Sequence, residues 1–429
     1  PPLDDSEYLS FELEKGLRVL LCSDPTSLDA AAAIDVHVGA CSDPKEVPGL
    51  AHFNEHMLFL GTKQYPAEDS FESFLSANGG SSNAFTDSLD TVYYFDLSVD
   101  SDAKFAEALK RFGSFFTDPL FTETATNREL NAIESENQKK LQSDSFRTFQ
   151  LQKARANADH PFSKFFTGNR YTLVDQTKAM NIDLREQLIQ FYRHYYSANQ
   201  MTLAVVGPQS ISKLRQLVTA AFDKVPNYNV PKPEEQWKGV APFSSSGSSI
   251  ISPFGTILEV VPVNDIRQVS ISWPILYTND DHEKSLLEKQ SNYVAHLLGH
   301  EGPSSLLSSL KQRGWASSVA VATEEELSDF EILSVVVGLT KKGLENVEKV
   351  VEAVYSYIGM LRQRDIPNYV FDEVLQLEEL QWRFLTHSGP TGYAQSLATS
   401  MQRYPPSLYV AGPRRLALKG YDSNPRLTN

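Results

Sequence analysis

The two halves of this chain repeat one order of elements, and any fold has to accommodate that repeat. In the first half, strand-like runs at 17–22 and 33–39 precede a helical stretch over roughly 47–60. A second helix follows Pro66, with Phe71, Phe74 and Leu75 at i, i+3, i+4 spacing. A strand rich in Tyr, Phe and Val is expected at 91–99, and helices near 102–116 and 124–141. Leu184, Leu188, Phe191, Tyr192 and Tyr195 mark another helix. The strand 201–206 comes next, then a helix whose apolar face is Ile211, Leu214, Val218 and Phe222. Residues 230–249 change character: Pro231, Pro233, Glu234, Glu235 and a Ser-rich run read as a surface linker. Beyond it the order returns. Strands are expected at 257–261 and 269–273, a helix at 283–298, strands at 319–322 and 330–337, and a long helix through Leu344, Val347, Val351, Val354, Ile358 and Leu361. More helix is expected past Pro367. The expectation is an α+β chain with two similar domains in tandem, residues 1–229 and 250–429, joined by 230–249.

Length agrees, since 429 residues suit two domains better than one. Hydrophobic residues at 41% and charged residues at 22% give the balance of a water-soluble globular chain. No apolar run is long enough to span a bilayer as a helix. A net charge of −15 makes nucleic acid a poor partner, because phosphate binding needs clustered Lys and Arg. The acidity reads either as a solvated surface or as a cavity that favours basic peptides. The only cysteines, Cys22 and Cys41, are no disulfide framework. As buried thiols they mildly favour a reducing, cytoplasmic setting.

The chemistry concentrates in His52-Phe53-Asn54-Glu55-His56, inside the first helical stretch. Positions i and i+4 share a helix face, so both imidazoles can point at one ion. Glu55 faces the same way and can take a proton from water attacking a carbonyl. His-x-x-Glu-His is an inverted zinc motif. The competing reading is two surface histidines, one paired with Glu55. A catalytic zinc needs a third protein ligand. The helix 128–136 offers Glu129 and Glu136, seven residues apart and hence on one face. On spacing alone a solvated acidic helix is the simpler reading there. His296 and His300 also stand at i, i+4 before Glu301, with no third ligand in view.

The run HFNEHMLFLGT from His52 to Thr62, with Lys63-Gln64-Tyr65-Pro66 after it, resembles the insulysin branch of the pitrilysin-type metallopeptidases. So do Gly80-Ser81-Ser82-Asn83-Ala84-Phe85-Thr86, the segment 131–136, His160-Pro161-Phe162-Ser163-Lys164-Phe165, and Gly299-His300-Glu301-Gly302-Pro303. The resemblance runs from about Leu17 to Tyr404. It implies two domains, each a mostly antiparallel sheet packed with helices. It implies one Zn2+ held by His52, His56 and Glu136, with Glu55 as general base and Glu129 behind a ligand. Ser82, Asn83, Ala84 and Phe85 would form the edge strand on which an extended peptide adds. Phe59, Phe146 and Phe149 match positions near the primed-side pocket. His300 and the strand with Val319, Ala320 and Val321 match an exosite for the substrate's N-terminus. Relatives carry Gly-Gly where this chain has Val321-Ala322, so side chains there would crowd an approaching backbone. Family members run to about twice this length. Their second half supplies a Tyr and an Arg to the tetrahedral intermediate, and no residue here corresponds. The implied function is hydrolysis of peptides and small unfolded polypeptides, with a C-terminal half or partner chain completing the site. The alternatives are a processing-peptidase-like subunit and a non-catalytic peptide-binding half.

Overall fold

The computed structural model describes residues 3–98, 101–244, 254–277, 281–363, 368–385 and 389–414. They divide into two units: Asp4–Val260 with Thr386–Val410, and a unit built on Val261–Leu385. In the first unit the strands are β1 (Glu7–Glu12), β2 (Arg18–Ser23), β3 (Asp29–Val36), β4 (Ser81–Thr86), β5 (Thr91–Ser98) and β6 (Met201–Gly207). Its helices are α1 (Leu50–Leu58), α2 (Ser70–Ser76), α3 (Asp102–Ser114), α4 (Glu123–Lys140), α5 (Asp144–Ala154), α6 (Gln176–Ala179), α7 (Leu184–Tyr195) and α8 (Ile211–Phe222). The second unit holds strands β7 (Gln268–Leu276), β8 (Ala316–Glu326) and β9 (Phe330–Leu339). Its helices are α9 (Asp281–Glu288), α10 (Gln290–Gly299), α11 (Leu306–Gln312), α12 (Lys341–Leu344), α13 (Val347–Gln363) and α14 (Asn368–Arg383). A last helix, α15 (Pro390–Arg403), returns to the first unit.

The first sheet runs β1-β2-β6-β3-β5-β4, antiparallel except for the β2–β6 pair. β3 shows why it sits in the middle. Ala30, Ala32, Ile34 and Val36 face one core with Phe53, Tyr93, Phe112 and Leu188. The alternate Ala31 and Ala33 face Tyr393, Ala394, Leu397, Ala398 and Met401 of α15. A strand buried on both faces reads as an unbroken apolar run, and its alanines let α15 approach closely. Polar bonds fix the seat: Thr202 donates to the Ala398 carbonyl at 2.8 Å, and Arg18 donates to the Met401 carbonyl at 2.7 Å. The strand β4 pairs with β5 alone, which makes it the edge.

Four expectations differ from this architecture. Residues 390–403 were expected with the second domain, whereas their apolar stripe covers the first sheet. The stretch 230–249 was expected as a free linker. Its described residues, 230–244, lie on the first unit: Glu234 bonds His37, Trp237 is buried beside His160, and the Asn157 amide donates to the Pro242 carbonyl at 2.8 Å. Residues 245–249 lie outside the described residues. The run 257–261 forms no strand, with Ile257 80% and Val261 83% exposed, and no strand among the described residues pairs with it. The helix expected at 283–298 is two helices, broken where Lys289 takes a left-handed φ of 48°. The second sheet, β7-β9-β8, has three antiparallel strands among the described residues, so the repeat is partial. Along β7, Val269, Ile271 and Trp273 pack against the cluster that holds Val335, Val337 and Val354.

Candidate metal centre and active site

The motif helix α1 is anchored at its start by a buried carboxylate. Asp43 Oδ2 accepts from the Gly49 amide at 2.6 Å and Oδ1 from the Ala51 amide at 2.7 Å. These amides have no partner within the helix, so Asp43 satisfies what the first turn leaves open. Phe53, Met57 and Leu58 then point into the core. That orientation puts His52, Glu55 and His56 together on the opposite side, facing α4.

The two imidazoles meet edge to face, Nε2 to Nε2 at 3.3 Å. Glu136 on α4 faces both: Oε2 lies 3.3 Å from His52 Nε2 and Oε1 3.5 Å from His56 Nε2. The three donor atoms lie within 4.8 Å of one another, the one such cluster among the described residues. The far nitrogens are also engaged. His52 Nδ1 donates to the Thr167 carbonyl at 2.7 Å, and His56 Nδ1 faces Glu129 Oε2 at 3.3 Å. A carbonyl only accepts, so Nδ1 of His52 carries a proton, and Nε2 is the ring nitrogen that can turn to a metal. This is the arrangement found behind metal-bound histidines, and the donor set of two imidazoles and a carboxylate suits zinc.

The electrostatics favour a cation at this point. The hydrogen bond to His52 draws Glu136 down to about 2, against the opposing effect of burial. Bonding to His56 lowers Glu129, which also pairs with Arg128 at 3.4 Å. Burial pushes His56 down, yet Glu129, Glu55 and Glu136 together raise it.

Glu55 is buried on the same side of α1, and its Oε2 accepts from the Thr86 hydroxyl at 2.5 Å. Thr86 ends the edge strand β4. Along that strand Ser82, Ala84 and Thr86 turn inward, while Ser81, Asn83 and Phe85 turn out, Phe85 being 40% exposed. The three aromatics expected near a primed-side pocket all have ring neighbours or a cation beside them. Phe59 packs among Tyr93 and Phe115, at 6.1 and 5.3 Å between ring centroids. Phe149, on α5, packs against Phe162 and Phe166, and Phe146 lies beside Lys140.

In the second unit, β8 is an edge strand. Val319 is buried and Val321 turns into the same core, so Ala320 and Ala322 are the side chains on its outer face. Of the pair that stands where relatives carry Gly-Gly, Val321 lies over Gly299 at the end of α10 and Ala322 is on the outer face. His300 follows that helix and accepts from the Gly302 amide at 3.0 Å. No third donor joins His296 and His300 among the described residues.

Sequence reasoning did not find Asp43, Thr86 or the Thr167 carbonyl. Thr86 and the Thr167 carbonyl act through contacts distant in sequence, and the Asp43 and Thr167 contacts use backbone groups that carry no sequence signal.

A family model described as Insulinase (Peptidase family M16) matches residues 18–159. A second, described as Peptidase M16 inactive domain, matches residues 183–377. The chain is 41% identical to the insulin-degrading enzyme of Drosophila melanogaster, over 94% of this chain and 39% of that enzyme. It is 42% identical to the insulin-degrading enzyme of Homo sapiens, over 94% of this chain and 38% of that enzyme. The crystal structure of pitrilysin superposes with a TM-score of 0.89 at 27% identity, covering 98% of this chain and 43% of that one. The chain thus spans well under half the length of these relatives.

Proposed function

The chain belongs to the M16 (insulinase) peptidase family, and from that premise we propose that it is the zinc-bearing half of an endopeptidase acting on extended peptides. The observation that carries the reading is the convergence of His52, His56 and Glu136 within 4.8 Å, with Glu55 beside them.

His52 and His56 would hold the metal through Nε2, and Glu136 would hold it through its carboxylate. Glu129 and the Thr167 carbonyl keep the two rings turned so that Nε2 stays available. When bound, zinc supplies a Lewis acid that polarises the scissile carbonyl. Glu55 takes a proton from the attacking water as its oxygen bonds the carbonyl carbon. It returns that proton to the amine as the C–N bond breaks. The edge strand β4 receives the substrate as an added strand, which holds the peptide extended in front of Glu55. Asn83 and Phe85, facing outward, are the β4 side chains such a peptide meets.

Oxyanion donors and enclosure of the peptide belong to a C-terminal half, as a continuation of the protein or a separate chain. Metal analysis of the purified chain tests the reading. About one zinc per chain, lost in His56→Ala, is expected. A chain that takes up no zinc, or binds it equally after His56→Ala, would overturn it.

A further inference from the structure

We propose that Thr86 is a positioning residue for the general base, fixing Glu55 from within the strand that receives the substrate. This rests on the reading of Glu55 given above. Glu55 sits on α1 with three rotatable side-chain bonds, and neither metal-facing histidine holds its carboxylate. One short bond does: the Thr86 hydroxyl to Oε2 at 2.5 Å. The other oxygen, Oε1, accepts no hydrogen bond from a described residue and is left for water.

The direction of the Thr86 bond is set by its neighbour. Thr91, opposite Thr86 in the β4–β5 register, gives its own proton to the Val38 carbonyl at 2.8 Å. The two threonine oxygens stand 3.5 Å apart. Thr86 therefore has its single proton free for the carboxylate, which as an anion can only accept. The Thr86 hydroxyl thus ties the base to the edge strand β4.

Placement in β4 adds a consequence. Thr86 faces inward at the end of the strand whose outer edge takes the peptide. A peptide added to that edge orders β4, and with it the hydroxyl that aligns Glu55. Substrate docking and alignment of the base are coupled through one strand. The role is positional, because Thr86 touches neither the reacting atoms nor the metal ligands.

The test compares Thr86→Val, which keeps the shape and removes the hydroxyl, with Thr86→Ser, which keeps the hydroxyl. With the second half supplied, Thr86→Val is expected to lower kcat by about 10–100-fold, the factor that one hydrogen bond to a charged group is worth. KM and zinc content should stay at the wild-type values, and Thr86→Ser should retain most of the turnover.

A second readout needs no activity. Thermal midpoints of this chain as wild type, Thr86→Val, Glu55→Ala and the double variant form a cycle, and the two substitutions should be non-additive. Wild-type kcat in Thr86→Val, equal losses in Val and Ser variants, zinc loss in Thr86→Val, or additive midpoints would each overturn the proposal. If Glu55→Gln itself proves fully active, the reading of the base fails. If Glu55→Gln is inactive while Thr86→Val is unimpaired, only the positioning role fails.

Discussion

Glu129 Oε2 sits 3.3 Å from His56 Nδ1, on the opposite edge of the ring from Glu136. The two carboxylates of α4 therefore approach one imidazole from both sides, and they should differ in what they do to zinc. Glu136→Gln removes a ligand charge and is expected to empty the site at zinc concentrations that saturate wild type. Glu129→Gln removes only the group behind His56 and should weaken zinc about 10–100-fold, the usual cost of losing such a partner. Zinc titration of the two variants against a competing chelator measures the order. Equal affinity in Glu136→Gln and wild type would move the third ligand elsewhere.

Glu55 is beside the donor cluster without belonging to it. Glu55→Gln keeps the shape and removes the basic oxygen. Zinc content should match wild type, while peptide cleavage falls by about 10²–10⁴, the range that general-base catalysis supplies. Cleavage at the wild-type rate would remove Glu55 from the mechanism.

These contrasts also mark how much was legible beforehand. The spacing of His52 and His56 fixes a shared helix face, because i and i+4 do so on any helix. The spacing of Glu129 and Glu136 does the same for α4, but it cannot say which carboxylate faces the histidines. That depends on how α1 and α4 pack, and the family resemblance supplied the assignment. The Thr167 carbonyl has no sequence signature at all. At the level of fold, helix past Pro367 was readable, and α15 is part of it. Its partner was not, since an apolar stripe does not name the surface it covers. The run 257–261 erred in the other direction: β propensity without a neighbouring strand makes no strand.

Anchoring of 230–244 yields a pH prediction away from the metal site. His37 Nδ1 lies 2.6 Å from Asp90 and Nε2 2.8 Å from Glu234. Burial alone would lower its pKa, but Asp90 and then Glu234 override that and raise it to about 10. The buried carboxyl of Asp35, with Arg18 and Arg403, completes the charged surroundings. A His free in the unfolded chain titrates near ~6.5. Its pKa is thus raised on folding, so its stabilisation is full below ~6.5 and is lost as pH climbs through about 10. The thermal midpoint of wild type should exceed that of His37→Asn most at pH 6. The gap should shrink as pH approaches 10. Thermal denaturation of both chains across that range checks it, and a gap that widens with pH would contradict the assignment.

The last prediction concerns what this chain does alone. The proposed zinc ligands and base and the edge strand are all within the first unit, so metal and extended peptides should both bind. The chain covers 39% of the Drosophila relative it matches, and the family resemblance implies oxyanion donors supplied by the other half. Losing one such donor typically costs about 10²–10³ in rate. An unenclosed peptide also leaves water around the reacting groups, which weakens every electrostatic contact there. This chain alone is therefore expected to cleave short fluorogenic peptides slowly or not measurably. Supplying a matching C-terminal half should raise turnover by at least about 10²-fold, the scale of one lost donor. Glu55→Gln serves as the blank in both arms. Full turnover without the second half would show that the chain carries its own oxyanion donors. The half-enzyme reading would then give way to a self-sufficient or homodimeric peptidase.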